Sequence, residues 1–352
     1  MNTVTKVAPD PGSPRILDVV LLGVGTVGSE FLRRISASPP PGIRLAGIAN
    51  SRRMLFEKRG IAAGSALDRL RESGSENCLD KLTASLRKPR GSAPVIVDAT
   101  ASVAVAERHA AWRAAGIHIV TANKIAAANG WLRGAGAFYG DAATVGAGLP
   151  VLGAIRRLRA AGDVITRIEG ILSGSLGFVF HALQRHGSFS RAVRDARSGG
   201  LTEPDPRVDL AGLDVARKLA IIAGAAGLQR PNLQPESLIA SADNVLPLDA
   251  FLLSLPDHDA GWRERVDDAR ARGGVLRYVA SVDCQGDGFV GVRELHADAP
   301  LAQTRGADNG VAIYSHAYDR EPLFIRGPGA GAAVTATALL ADLSEIAARI
   351  RW

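Results

Sequence analysis

Short continuous apolar runs alternate with stretches of helical period from the start of the chain to about Lys124. The runs are ILDVVLL (16–22), IRLAGIAN (43–50), APVIVDAT (93–100) and the strand within GIHIVTANK (116–124). Predominantly apolar runs suit strands buried on both faces, and the intervening SEFLRRIS and SVAVAERHAAWRAAG carry apolar residues three and four apart. That alternation predicts an α/β arrangement around a parallel sheet. In such sheets ligands bind beyond the carboxyl ends of the strands, which puts Lys124 at the edge of a site.

After about residue 150 the rhythm changes. VLGAIRRLRAAG reads as a helix, VITRIEGILSG as a strand and LGFVFHALQRH as a helix; a polar, proline-rich loop then leads into a helix over VDLAGLDVARKLAIIAG. Strands are expected at 275–283, 289–295, 310–318 and 322–327, followed by a closing amphipathic helix, TATALLADLSEIAARI, that returns to the first domain. The second domain is therefore mixed α+β. Residues 231–272 show no clear period.

Composition narrows the function. A chain of 352 residues suits two domains, and 47% hydrophobic with 22% charged residues is a globular balance. No apolar run reaches the roughly 20 residues of a spanning helix, so no membrane partner is expected. Residues 1–15 read as a loose tail rather than a secretory signal. Only Cys78 and Cys284 occur, without metal spacing, which fits a reducing cytoplasm. The net charge of +7 is spread through scattered arginines without a basic block, so no nucleic-acid partner is expected. Lysine is scarce: positions 6, 58, 81, 88, 124 and 218 only.

Gly23-x-Gly25-x-x-Gly28, with Thr26 and Val27 inside it, follows the first strand and opens a helix. Glycines there let the backbone approach a pyrophosphate, and the helix end favours its charge; elsewhere the same spacing is merely a turn. About 20 residues on, where an acid would hold a ribose 2′-hydroxyl, stand Asn50, Ser51, Arg52 and Arg53. That favours NADP, with NAD the alternative, although solvated loop arginines would read the same.

The densest chemistry lies in TEPDPRVDLAGLDVARK, Thr202 to Lys218. Asp214 and Lys218 are four apart on one helix face, so the carboxylate can orient the ammonium, as any surface pair would. Apolar walls beyond Lys218 suit an acid/base lysine, a role arginine cannot fill. Glu203 and Asp209 are placed to receive a substrate ammonium, or to serve as helix-entry residues. Ser173, Gly174 and Ser175 stand at a strand-to-helix junction suited to substrate hydrogen bonds or simply to capping. TVGAGLP (144–150) offers carbonyls for a monovalent cation, or a hinge. GPGAGAAVTA (327–336) is a second glycine loop able to close over a cofactor, or a turn. No HExxH, GxSxG or Walker motif occurs.

Taken in order, GVGTVG, VTANK, ATVGAGLP, GILSGSLGF, LTEPDPRVDLAGLDVARK, LRYVA, RGADN and GPGAGAAVTA resemble the homoserine dehydrogenase family over almost the whole chain. The resemblance is to the short form, without kinase or ACT domain. It implies a Rossmann dinucleotide-binding domain (1–148 with 328–352) and a mixed α+β catalytic and dimerisation domain (149–327). The reaction it implies is reduction of L-aspartate 4-semialdehyde to L-homoserine, within threonine, methionine and isoleucine biosynthesis, in a cytoplasmic homodimer. Carried onto this chain, it makes Lys218 the acid/base, Asp214 its positioner and Lys124 a second charged contributor beside the nicotinamide. Glu203 and Asp209 bind substrate; Val27, Thr100, Ala101, Lys124 and Gly331 line the cofactor. A sodium-like ion sits on carbonyls of Ala142, Val145, Ala147 and Leu149. Val208, Leu201 and Ala142 depart from residues common in the family, and a carboxylate missing at 142 bears on that ion's surroundings. Two rivals remain: another amino-acid dehydrogenase of similar architecture, and a regulator that senses NADP or homoserine without turnover.

Overall fold

The structure is a computed structural model that describes residues 16–86, 92–132 and 136–350; the expected tail at 1–15 lies outside these. Contacts divide the chain into two compact units, Met1–Asn123 with Leu132–Asp141 and Thr335–Trp352, and Lys124–Trp131 with Ala142–Val334. The boundary thus differs from the expected 148/149 and 327/328. Residues 124–131 join the second unit because the Arg230 guanidinium donates to the carbonyls of Ala127 and Ala128, at 2.6 and 2.9 Å. Residues 142–148 and 328–334 join it as well, and there a Cβ on Gly148 would meet the Val334 carbonyl at 2.9 Å.

In the first unit seven strands form one sheet: β1 (Ile16–Leu22), β2 (Ile43–Ala49), β3 (Arg53–Phe56), β4 (Ser75–Glu76), β5 (Ser92–Asp98), β6 (His118–Thr121) and β7 (Tyr139–Gly140). Their order is β4-β3-β2-β1-β5-β6-β7. The run from β2 to β7 is parallel, and β3 and β4 form an antiparallel edge. Leu17 and Val19 to Leu21 are fully buried, and Asp18 between them is 2% exposed and paired with Arg44 at 2.6 Å. The chain leaves β1 toward β2 on one side and β5 on the other, so β1 marks the point where strand order reverses.

The second unit holds a five-stranded antiparallel sheet in the order β10-β9-β8-β11-β12. Its strands are β8 (Ile165–Ile171), β9 (Gly274–Asp283), β10 (Gly288–His296), β11 (Asp308–Ser315) and β12 (Leu323–Pro328). Helices Gly174–His186, Leu213–Ala226 and Asp259–Ala271 pack on β9, where Phe180 meets Trp262 edge-on at 5.6 Å and Phe189 stacks on Trp262 at 5.1 Å. The helix expected over 208–224 is broken at Gly212 into Arg207–Leu210 and Leu213–Ala226. Gly212 takes φ +70, and a Cβ there would lie 2.0 Å from the Tyr278 hydroxyl. Likewise, the helical stretch after β5 is two short pieces, Val103–Ala106 and His109–Ala114.

Candidate active site

The end of β1 shows why glycine is required at two of its three positions. Gly23 takes φ +88, and a Cβ there would press on the Ala99 carbonyl at 2.8 Å; a Cβ on Gly28 would lie 2.0 Å from the Gly23 oxygen. A Cβ on Gly25 would meet nothing within 4 Å beyond its chain neighbours, so that position is open on its Cβ side. Gly25 caps the helix Thr26–Ala37, whose first turn contains no acid. The leading amides of that turn, around Thr26 and Val27, have no helical acceptors of their own, and the turn suits a phosphate. On the flanks, the Asp98 carboxylate at the end of β5 accepts from the Thr100 amide at 2.9 Å and lies 3.1 Å from the buried His109 ring. Thr100 touches the Gly23 position, and Ala101 is exposed beside it. Asn123, which the sequence did not single out, is 2% exposed and donates to the Ser102 carbonyl at 3.0 Å, tying two strand ends together.

At the end of β2 the Asn50 side chain is already engaged: its oxygen accepts from the amides of Arg52 and Arg53, at 2.8 and 2.7 Å. Arg53 opens β3, and its guanidinium donates to the Arg71 carbonyl. Arg52 is exposed and, among the described residues, its side chain forms no hydrogen bond or ion pair. Both arginines are exposed, and Arg52 is the one whose guanidinium has no carbonyl partner among the described residues.

Within the second unit the structure brings Lys218, Asp214 and Lys124 together. The Lys218 ammonium donates to the Leu172 carbonyl at 2.7 Å and lies 2.9 Å from Asp214, whose other oxygen is 3.4 Å from the Lys124 ammonium. The Lys218–Leu172 hydrogen bond is shielded, and a shielded bond to a charged group contributes about 1.5–3 kcal/mol. Burial alone would raise the Asp214 carboxyl; Lys218 and then Lys124 outweigh it and hold the pKa at about 2. The Lys218 side chain is 11% exposed and that of Asp214 48%, so the ammonium is nearly buried while the carboxylate that holds it reaches solvent. Leu172 acts through its backbone, which leaves no signal in residue type.

The next residues continue the site. Ser173 caps the helix Gly174–His186 by accepting from the Leu176 amide, and its hydroxyl lies 2.8 Å from that of Ser175. Caps of this kind are worth about 1 kcal/mol. Ser175 donates to Asp209 at 2.7 Å, and the other Asp209 oxygen accepts from the Glu203 amide at 2.9 Å. Asp209 therefore ties the loop to the helix start, while the Glu203 side chain is exposed.

Ala142, Val145, Ala147 and Leu149 also lie in the second unit, as does Gly331, which takes φ +119. Gly146 (φ +71) is followed by Ala147 (φ +52), a non-glycine held in the left-handed region at a cost of order 1–3 kcal/mol. The Leu149 carbonyl accepts from the Val151 amide at 2.8 Å and keeps a second lone pair. Among the described residues no group of three or more His, Cys, Asp or Glu is placed to hold a metal, and no helix is long and apolar enough to cross a membrane.

Comparison with known proteins adds the family. A model described as homoserine dehydrogenase matches residues 150–344, and one described as homoserine dehydrogenase, NAD binding domain, matches 23–135. The chain is 37% identical to the chloroplastic bifunctional aspartokinase/homoserine dehydrogenase 1 of Arabidopsis thaliana, over 94% of this chain and 39% of that protein. It therefore spans about two fifths of the length of that relative. It is 36% identical to a homoserine dehydrogenase of Paracoccidioides brasiliensis, over 94% of this chain and 97% of that one. A crystal structure of a Candida auris protein described as of unknown function matches with TM-score 0.85 and 34% identity, over 95% and 99% of the two chains. The fold, the ordered motifs and these matches agree: the chain belongs to the homoserine dehydrogenase family of NAD(P)-dependent oxidoreductases.

Proposed function

We propose that Lys218 is the proton-transfer group of this chain's homoserine dehydrogenase reaction, the reduction of L-aspartate 4-semialdehyde to L-homoserine. The observation that carries it is a nearly buried ammonium held between the Leu172 carbonyl and a carboxylate kept ionised. A nicotinamide cofactor, when bound, supplies the hydride. As the aldehyde oxygen gains negative charge, Lys218 donates a proton to it, and Lys124 adds a second positive charge. Asp214 fixes both ammonium groups. Glu203 receives the substrate's ammonium; Asp209 supports it from the loop, and Ser173, Gly174 and Ser175 offer hydrogen bonds to its polar atoms.

The open space at Gly25 and the amides of Thr26, Val27 and Gly28 suit the cofactor pyrophosphate. Thr100 and Ala101 border that space, and the family resemblance adds Gly331 as a cofactor contact. Arg52, exposed where an acid would select NAD, supports NADP. The carbonyls of Ala142, Val145, Ala147 and Leu149 are hard oxygen donors, and the left-handed Ala147 supports a built loop for a sodium-like ion. The sheet face carrying Arg167 over Tyr314 and Arg293 over Phe289 is the surface proposed for the homodimer. A soluble cytoplasmic enzyme serving threonine, methionine and isoleucine synthesis completes the reading. The test is homoserine-dependent NADP reduction by the purified protein: turnover with homoserine and none with other amino acids supports the reading, and tight binding without turnover favours a sensor.

A further inference from the structure

The segment from 231 to 272, without period in the sequence, holds the loop that carries Glu203. Arg207, at the start of a short helix, has a side chain 17% exposed. Its Nη1 donates to the carbonyls of Leu246, Asp243 and Asn244, at 2.7, 3.2 and 3.4 Å. Its Nε and Nη2 bind Asp205, the nearest contact at 2.7 Å, and Asp205 also accepts from the Arg207 amide at 3.0 Å. The Arg207 hydrogen bonds lead the effects that lower the Asp205 carboxyl. The guanidinium also lies over the Phe251 ring, 5.2 Å from its centre.

The carbonyls it grips are themselves fixed. Asp243 is 7% exposed; one carboxylate oxygen lies 2.7 Å from His258 Nε2 and the other accepts from Ser254 at 3.2 Å. From the opposite side Arg197 donates to the Pro204 carbonyl at 3.0 Å. Asp205 lies between Pro204 and Pro206, so anchoring it through Arg207 leaves Glu203 and Asp209 little freedom.

We propose that Arg207 is a positioning residue that braces the 202–209 loop against the 243–251 segment and thereby sets affinity for the amino-acid substrate. It rests on the reading that Glu203 and Asp209 serve that substrate. All three guanidinium nitrogens are engaged at once, on Asp205 and on three carbonyls, so a lysine ammonium cannot reproduce the arrangement.

Arg207→Ala is expected to raise the homoserine KM about tenfold or more, with kcat within about threefold and the cofactor KM unchanged. Backbone hydrogen exchange in the unliganded protein should accelerate across 202–210 and 243–246 and nowhere else. Arg207→Lys should recover only part of the affinity. Arg191→Ala, which removes an exposed pair with Asp195, should change neither readout. An unchanged homoserine KM, a loss shared equally by kcat and both KM values, or unchanged exchange in the loop would overturn the proposal. Should Arg207→Ala not fold, Asp205→Asn, which keeps the grip on the three carbonyls, carries the same readouts at smaller size. Absence of homoserine oxidation by the wild-type protein would instead count against the function, and the exchange pattern would still decide the brace.

Discussion

The glycine turn after β1 and the lysine pair around Asp214 both prepare a place for charge, in opposite ways. At the turn the backbone supplies the binding groups, and two of the three glycines are required by the fold itself, leaving Gly25 as the position open to a ligand. Around Asp214 side chains supply everything except the Leu172 carbonyl. A backbone site tolerates many sequences that keep its shape. A side-chain site depends on a few atoms that no fold requirement protects.

That contrast sets the order of the expected effects. Lys218→Ala should lower kcat by about 10³-fold while leaving cofactor affinity within twofold, because a positioned acid contributes about 10²–10⁴; steady-state kinetics with a binding titration checks it. Asp214→Asn removes the charge that orients both ammonium groups, and kcat should fall about 10²-fold with only a modest loss of thermal stability at neutral pH, read by calorimetry beside the assay. In the turn the two glycines should separate. Gly28→Ala drives a Cβ against the Gly23 carbonyl and should destabilise the protein, whereas Gly25→Ala, with φ −74, should keep the melting temperature and raise the cofactor KM about tenfold. Equal behaviour of the two variants would erase the distinction between fold and ligand glycines.

The smallest effect is on acid stability. Asp214 has its folded pKa held at about 2, below the ordinary 3.8. Its ion pairs therefore stabilise the fold fully above the ordinary value, and that contribution disappears as pH falls from about 4 through 2. With nearly half of the side chain exposed, the effect is modest. Acid unfolding followed by circular dichroism should show Asp214→Asn losing less stability than wild type across that window.

Much of this was legible in advance, for identifiable reasons. β1, β5 and the strands of the second sheet announce themselves as apolar runs, and the four-residue spacing of Asp214 and Lys218 is realised on one helix. Gly212 was hidden because its left-handed turn answers to Tyr278, a residue far away in sequence. The helix Asp259–Ala271 carries its buried residues at Trp262, Val266 and Ala269, a helical spacing that was present but diluted by charge. Phe189, Ala192, Val193 and Ala196 give the helix Phe189–Ser198 the same kind of signal. β3 and β4 are too short for any period, and Leu172 acts through an atom every residue has. Asn50 is read in the sequence as a cofactor contact, and what the sequence does not show is that its side-chain oxygen also shapes the turn that presents Arg52.

The central claim is that position 218 gives up a proton and does not merely carry charge. Single-turnover hydride transfer with Lys218→Arg at saturating ligands isolates that step, since a guanidinium keeps the charge and holds its proton. A loss of about 10²-fold or more with cofactor and homoserine still bound is the predicted result. Transfer within about threefold of wild type would contradict the account.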